Sequence, residues 1–281
     1  MPAITASLVK ELRDETNLGM MECKRALVET KGDKDLAIKI LRERGMAIAE
    51  KKASRSANEG RIAAKISADG KTGTMFEVNC ETDFVAKNDN FQNFVDALTD
   101  QAIAVGDGEL ADAVKDEMIA KIAEIGENLV IRRNVRYEAQ GTGSIASYIH
   151  LGAKVGVLVE IGCEKEDTPQ QGVYKELVKD ITLHIAATSP QHLHRDHVPE
   201  EVVSAERAIY AKQMEGKPEN IIDKIVTGKL DKFFSQICLV EQGFVKDPDT
   251  SLNDLVAAKS KELGDNVVIR RFIRYQVGQE A

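Results

Sequence analysis

Apolar residues recur over the first 45 positions at helical spacing, in three runs divided by glycines. Ile4, Leu8, Val9 and Leu12 share one face, and Thr5 is placed to cap it. Met20, Cys23, Ala26 and Leu27 share a second face within residues 20–31, and Gly32 follows as a stop. Asp33 heads the third run, in which Leu36, Ala37, Ile40 and Leu41 line up before Gly45 ends it. Residues 46–59 are small, polar and basic and read as a linker, partly helical. Further on the period shortens to two, as in half-buried strands.

Two internal echoes organise the rest. At an offset of 83, Lys71, Gly73, Glu77, Cys80 and Glu81 match Lys154, Gly156, Glu160, Cys163 and Glu164, and Ile62, Ala63 and Ile66 match Ile145, Ala146 and Ile149. At an offset of 138, residues 126–137 and 264–275 are identical at eight of twelve positions. Each copy reads strand, glycine-containing turn, strand, helices, strand. The strands fall at 61–67 and 74–79, then at 144–150 and 155–162. Helices are expected at 90–105 and 109–125, then at 172–187 and 252–263.

The predicted fold is therefore α+β: a three-helix bundle (1–54), then a duplicated core of two halves (55–140 and 141–281). Each half is a three-stranded antiparallel sheet with helices on one side. The second half carries an insertion at about 189–232 that reads as a helical hairpin, opening at Val198-Pro199-Glu200 and broken at Gly216-Lys217-Pro218. Such a hairpin buries its apolar face on itself, on a partner or on a second copy, and a homodimer through it stays open.

Charge adds an asymmetry. The chain holds 281 residues with 38 Lys and Arg against 46 Asp and Glu, a net −8. Residues 1–58 carry 12 against 9, or +3, and the remainder 26 against 37, or −11. An acidic chain is a poor match for phosphate backbones, so direct nucleic-acid binding is not expected. The longest apolar stretches, such as residues 155–161, fall far short of the ~20 residues a membrane span needs. The four cysteines, Cys23, Cys80, Cys163 and Cys238, lie far apart with no CxxC pair, and the N-terminal run lacks the marks of a signal peptide. The expected setting is the cytoplasm, with reduced thiols.

No enzymatic or cofactor motif stands out. Gly70-Lys71-Thr72 resembles the end of a phosphate-binding loop, but Lys65 occupies the position of its first glycine. Gly141-Thr142-Gly143 precedes a strand, where a dinucleotide fingerprint would open a helix. His192, His194 and His197 cluster without a cysteine and read as a polar loop rather than a metal site. No cofactor, metal or catalytic residue is expected.

The two copies differ after their second strands. The first continues Cys80-Glu81-Thr82-Asp83-Phe84-Val85-Ala86, placing two large apolar residues in a loop; the second continues Cys163-Glu164-Lys165-Glu166-Asp167-Thr168. Phe84 either folds back to anchor its loop or stands out as a wedge for a partner's groove. In the bundle, Met20 and Met21 beside Lys24 suit an adaptable contact surface, and suit an ordinary core nearly as well.

These residues also carry a resemblance. Residues 4–13 and 16–27, Glu77-Val78-Asn79-Cys80-Glu81-Thr82-Asp83-Phe84-Val85-Ala86, residues 126–133, His184-Ile185-Ala186-Ala187 and Gly216-Lys217-Pro218 together resemble the bacterial elongation factor Ts family. The resemblance runs from residue 3 to about 279 and implies a ubiquitin-associated-like fold for the N-terminal bundle. It further implies guanine-nucleotide exchange on elongation factor Tu: the factor binds the GDP form, expels GDP and leaves when GTP enters. The bundle, with Met20, Met21 and Lys24 as candidate contacts, would touch the partner's GTPase domain. Thr82, Asp83, Phe84 and Val85 would meet the same domain and dislodge its Mg2+. The second half would hold another domain of the partner.

Overall fold

The structure is a computed structural model that describes residues 4–214 and 219–279; the expected break at Gly216-Lys217-Pro218 lies outside the described residues. Three helices open it: α1 (Ala6–Thr16), α2 (Met20–Glu29) and α3 (Lys34–Lys52). Thr5 and Asp33 cap α1 and α3, accepting from Leu8 N–H at 3.3 Å and Leu36 N–H at 3.0 Å. Val9, Leu12, Cys23, Leu27 and Leu41 form the bundle's core. The sequence pattern stops the third helix at Gly45, yet α3 runs on to Lys52. Beyond the glycine, Ile48 and Ala49 pack into the next core, which outweighs the roughly 1 kcal/mol that a mid-helix glycine costs.

The first half of the core comprises β1 (Glu59–Ile66), β2 (Thr72–Cys80), α4 (Asp83–Ala86), α5 (Asp89–Ala97), α6 (Thr99–Ala102), α7 (Leu110–Ala113), α8 (Lys115–Ile125) and β3 (Val130–Glu138). The second comprises β4 (Gly143–Ile149), β5 (Val155–Gly162), α9 (Gly172–Thr188), α10 (Glu200–Lys212), α11 (Glu219–Ile237), β6 (Gly243–Phe244), β7 (Asp247–Ser251), α12 (Leu252–Leu263) and β8 (Val268–Gln276). Each half has an antiparallel three-stranded sheet, in the orders β1-β2-β3 and β4-β5-β8. Both sheets shift register at the same place, between Glu77 and Val78 and between Glu160 and Ile161. The α+β class and the duplication are thus visible in the backbone. Two expected helices are broken: one into α5 and α6, the other at Val114, where φ −108° and ψ 20° leave the helical region.

Alternation along the central strands sets the layers. Phe76, Val78 and Cys80 of β2 face the helices of the first half, and Val157, Val159 and Ile161 of β5 face those of the second. Met75 and Leu158 point the other way and meet in a shared core with Ile62, Tyr137, Ile145 and Tyr275. The sheets therefore pack back to back, with helices outside. Gly73 makes the approach possible: a Cβ there would stand 2.5 Å from Ile145 Cγ2. At the same interface Arg133 pairs with buried Glu77 at 2.9 Å and stacks 4.1 Å from the ring centre of Tyr275; Arg271 pairs with buried Glu160 at 2.7 Å and stacks 4.0 Å from that of Tyr137. Each half thus lends a tyrosine to the other's buried ion pair, as a pseudo-two-fold contact requires.

The insertion is the expected helical hairpin, ending at Ile237 rather than near 232. It packs on itself through Val198, Val203, Tyr210, Val226, Leu230 and Phe234. Among the described residues no helix is long and apolar enough to cross a membrane.

Candidate docking site

The loop after β2 is not irregular. Thr82 leaves the strand with β geometry and its side chain accepts from Val85 N–H at 3.3 Å, capping the single turn of α4. The turn is held from below by a carboxylate of the segment between α8 and β3. Glu127 Oε2 accepts from Glu81 N–H at 3.1 Å and Thr82 N–H at 3.0 Å, and Oε1 accepts from the Thr82 hydroxyl at 2.7 Å. Glu81 returns the contact: its Oε1 accepts from Asn128 N–H at 2.7 Å, which holds the Glu81 carboxyl below its usual range. Asn128 Nδ2 in turn donates to Arg55 O at 2.8 Å. Strand end, turn and the approach to β3 are one hydrogen-bonded unit.

That unit separates the two apolar residues. Val85 and Ala86 turn inward onto the core of Phe76, Cys80 and Phe91. Phe84 turns outward and is 82% exposed, so the fold-back alternative belongs to Val85 instead. Asp83 lies beside it, in an ion pair with Lys87 at 2.7 Å that keeps its carboxyl below the ordinary range. Exposing a phenyl ring forgoes roughly 1.5–3 kcal/mol of burial, and the clamp beneath the turn keeps the ring from collapsing onto the core.

The second half repeats the clamp without the ring. Asp265, the counterpart of Glu127, accepts from Glu164 N–H and Lys165 N–H, both at 3.1 Å, and from the Thr168 hydroxyl at 2.5 Å. Burial opposes the charge of Asp265, but the bonds from Thr168, Lys165 and Glu164 keep its pKa low. Glu164 is likewise tied to the asparagine, but through the side chain: Asn266 Nδ2 donates to Glu164 Oε1 at 3.3 Å, where the first half uses Asn128 N–H. What stands on this clamp is Asp167-Thr168-Pro169, all polar or ring-locked. Glu127 was not singled out in the sequence; its signal was an acid between the paired glycine and asparagine of both echoes.

The remaining candidates are on the bundle. Met20 and Met21 are 52% and 64% exposed, so they lie on the surface and not in the core. Met21, Lys24 and Val28 line a shallow depression of about 630 Å³. The cysteines are buried: Cys80 donates to Thr82 O at 3.2 Å, and burial, aided by Glu127, pushes its thiol up to about 12. Among the described residues no group of three or more His, Cys, Asp or Glu is arranged to hold a metal ion.

A phenyl ring held outward on a braced turn is an exposed apolar feature suited to docking against another macromolecule. Comparison with known proteins agrees with that class and makes it specific. The sequence model of the family described as Elongation factor TS matches residues 81–279. The chain is 43% identical to an elongation factor Ts of Trichlorobacter lovleyi, over 99% of this chain and 93% of that protein. It is 41% identical to that of Nitratidesulfovibrio vulgaris (99% and 97%) and 44% identical to that of a Nitratiruptor species (99% and 94%). The chain belongs to the elongation factor Ts family, whose members serve protein biosynthesis as translation elongation factors.

Proposed function

We propose that the protein is a guanine-nucleotide exchange factor for elongation factor Tu, working in the cytoplasm and using Thr82, Asp83, Phe84 and Val85 as its working edge. The observation that carries the reading is Phe84, a ring 82% exposed on a turn held by Glu127. In this reading Phe84 enters a groove of the GDP-bound partner beside the nucleotide's Mg2+, and Asp83 meets polar groups at its rim. Mg2+ bridges phosphate and protein, so moving its ligands weakens the nucleotide. No side chain of this chain reacts. Exchange follows from differential binding: the factor weakens GDP by the same factor that GDP weakens it, and an entering GTP displaces it.

The three units divide the work. The bundle (1–54) holds the same GTPase domain through Met20, Met21 and Lys24; the first half (55–140) carries the wedge; the second half (141–281) holds a further part of the partner. Support comes from the exposure of both methionines, which a closed core would bury. The experiment is release of a fluorescent GDP from elongation factor Tu. The protein is expected to accelerate it at substoichiometric amounts in excess GDP. Tight binding with unchanged release would replace exchange by passive docking.

A further inference from the structure

The two halves differ at the outer edges of their sheets. β3 and β8 are both edge strands, and an open edge presents unpaired N–H and C=O groups. In the first half that edge is plugged by residues 106–110. Asp107 Oδ1 accepts from Arg136 N–H, Asn134 Nδ2 donates to Gly106 O at 2.9 Å, and Asn134 Oδ1 accepts from Leu110 N–H at 3.2 Å.

The second half lacks each of these groups. The two offsets place Pro190 where Asp107 stands, Phe272 where Asn134 stands and Gln276 where Glu138 stands. The correspondence is spatial as well: Arg136 Nε donates to Ile103 O at 2.8 Å, and Arg274 Nε to Ala186 O, its counterpart, at 3.3 Å. Arg136 has a counterion in Glu138 at 2.6 Å; among the described residues Arg274 pairs with no carboxylate and donates to the neutral Gln276 Oε1 at 2.9 Å. Residues 190–193 do not fill the gap, because Gln191 and His192 give their N–H groups to Ile237 O. Between that segment and residues 270–274 of β8 runs a groove of about 370 Å³, lined by His192, His197, Arg270 and Arg274 with no acidic residue. Burial lowers the pKa of Arg274, as for a cation held without a counterion.

We propose that the β8 edge is a docking site for an extended, acidic segment of a partner protein. The segment adds a strand to the β4-β5-β8 sheet and sets a carboxylate on the N–H and guanidinium of Arg274, as Asp107 does at Arg136 N–H in the first half. Backbone pairing supplies the affinity of such strand addition, and Arg274 with the two histidines selects acidic side chains, Arg270 being already paired with Glu160 at 3.1 Å. A second copy pairing edge to edge through β8 would bring the arginines of both chains together, which like-charge repulsion opposes.

The test uses the full chain and an octapeptide alternating Val or Thr with Asp, beside its Asn counterpart. Backbone amide NMR is expected to show saturable shifts confined to residues 268–276 and 190–193, with the Asn peptide bound at least about tenfold more weakly, the effect of a 1.4 kcal/mol charge contact. Arg274→Glu removes the shifts, and so does Pro190→Asp, which restores the plug of the first half and keeps the fold. Several results overturn the proposal: no shift in β8 at millimolar peptide, equal binding of the Asn peptide, the same shifts from inorganic phosphate alone, or self-association through β8 at rising protein concentration. No elongation factor is present, so failure here and failure of the exchange reading are separate outcomes.

Discussion

Replacing Glu127 by alanine removes the acceptor of three hydrogen bonds, from Glu81 N–H, Thr82 N–H and the Thr82 hydroxyl, at 3.1, 3.0 and 2.7 Å. A hydrogen bond to a charged group contributes about 1.5–3 kcal/mol, but the site is half-buried and water takes over part of the loss. A net cost of about 2–4 kcal/mol remains. If about 2 kcal/mol of it is order in the turn, the equilibrium constant for presenting Phe84 correctly falls about 30-fold, and the ordered fraction falls with it once the turn is only marginally stable. Asp265→Ala cuts the equivalent three bonds in the second half and is an internal control, since no phenyl ring stands on that clamp. The assay pairs urea unfolding with the rate of GDP release from elongation factor Tu against factor concentration. Both variants should lose comparable stability, but only Glu127→Ala should lose exchange, by about one to two decades. Wild-type exchange by a destabilised Glu127→Ala, or an equal loss in Asp265→Ala, would refute the reasoning.

Three further outcomes are expected. Arg133→Ala strands buried Glu77 and should cost about 3–5 kcal/mol in urea unfolding, whereas Arg271→Ala should cost less because Arg270 still reaches Glu160 at 3.1 Å; equal costs would contradict the role of the second arginine. Acid should destabilise the fold in two stages. Burial depresses His184 from 6.5, and Glu160, although burial raises it, is held below 4.5 by Gln140 N–H and by Arg271 and Arg270. Both folded values lie below the unfolded ones, so each group stabilises fully above its unfolded pKa and loses that contribution as pH falls through the window below it. A urea midpoint that is flat from about pH 7 down to 5 in the wild type, or no flattening of that stage in His184→Asn, would count against the assignment of the upper stage. Finally, the buried Cys80 thiol, pushed up to about 12, should resist alkylation in the native protein and react only on unfolding; rapid native labelling read by mass spectrometry would exclude that environment.

The duplication was legible because the same residues do the same work twice. Gly73 and Gly156 let the sheets approach, buried Glu77 and Glu160 hold the arginines, and Cys80 ends its strand as Cys163 directly follows its own. Strand positions followed from the period-two alternation that separates helix-facing Phe76 and Val78 from Met75. Other features needed the tertiary structure. Gly45 looks like a stop until the core that receives Ile48 and Ala49 is known. The breaks after α5 and at Val114 have no mark in the local composition. Phe84 reads in the sequence as part of an irregular loop, whereas Thr82 caps a helical turn that sends Val85 in and Phe84 out. Buried His184, which contacts Gln242 at 3.0 Å and accepts from Val245 N–H at 3.1 Å, ties α9 to the β6–β7 hairpin, two strands too short to leave a periodic trace.

The central claim is that the exposed Phe84 ring drives nucleotide release from the partner. It is tested most directly by stopped-flow release of fluorescent GDP from elongation factor Tu at saturating factor, comparing wild type with Phe84→Ala. The ring is 82% exposed, so the variant should unfold at the same urea concentration as wild type. The lost burial, roughly 1.5–3 kcal/mol, corresponds to a release rate about one to two decades lower. A Phe84→Ala protein that is fully folded and releases GDP as fast as wild type would contradict the account.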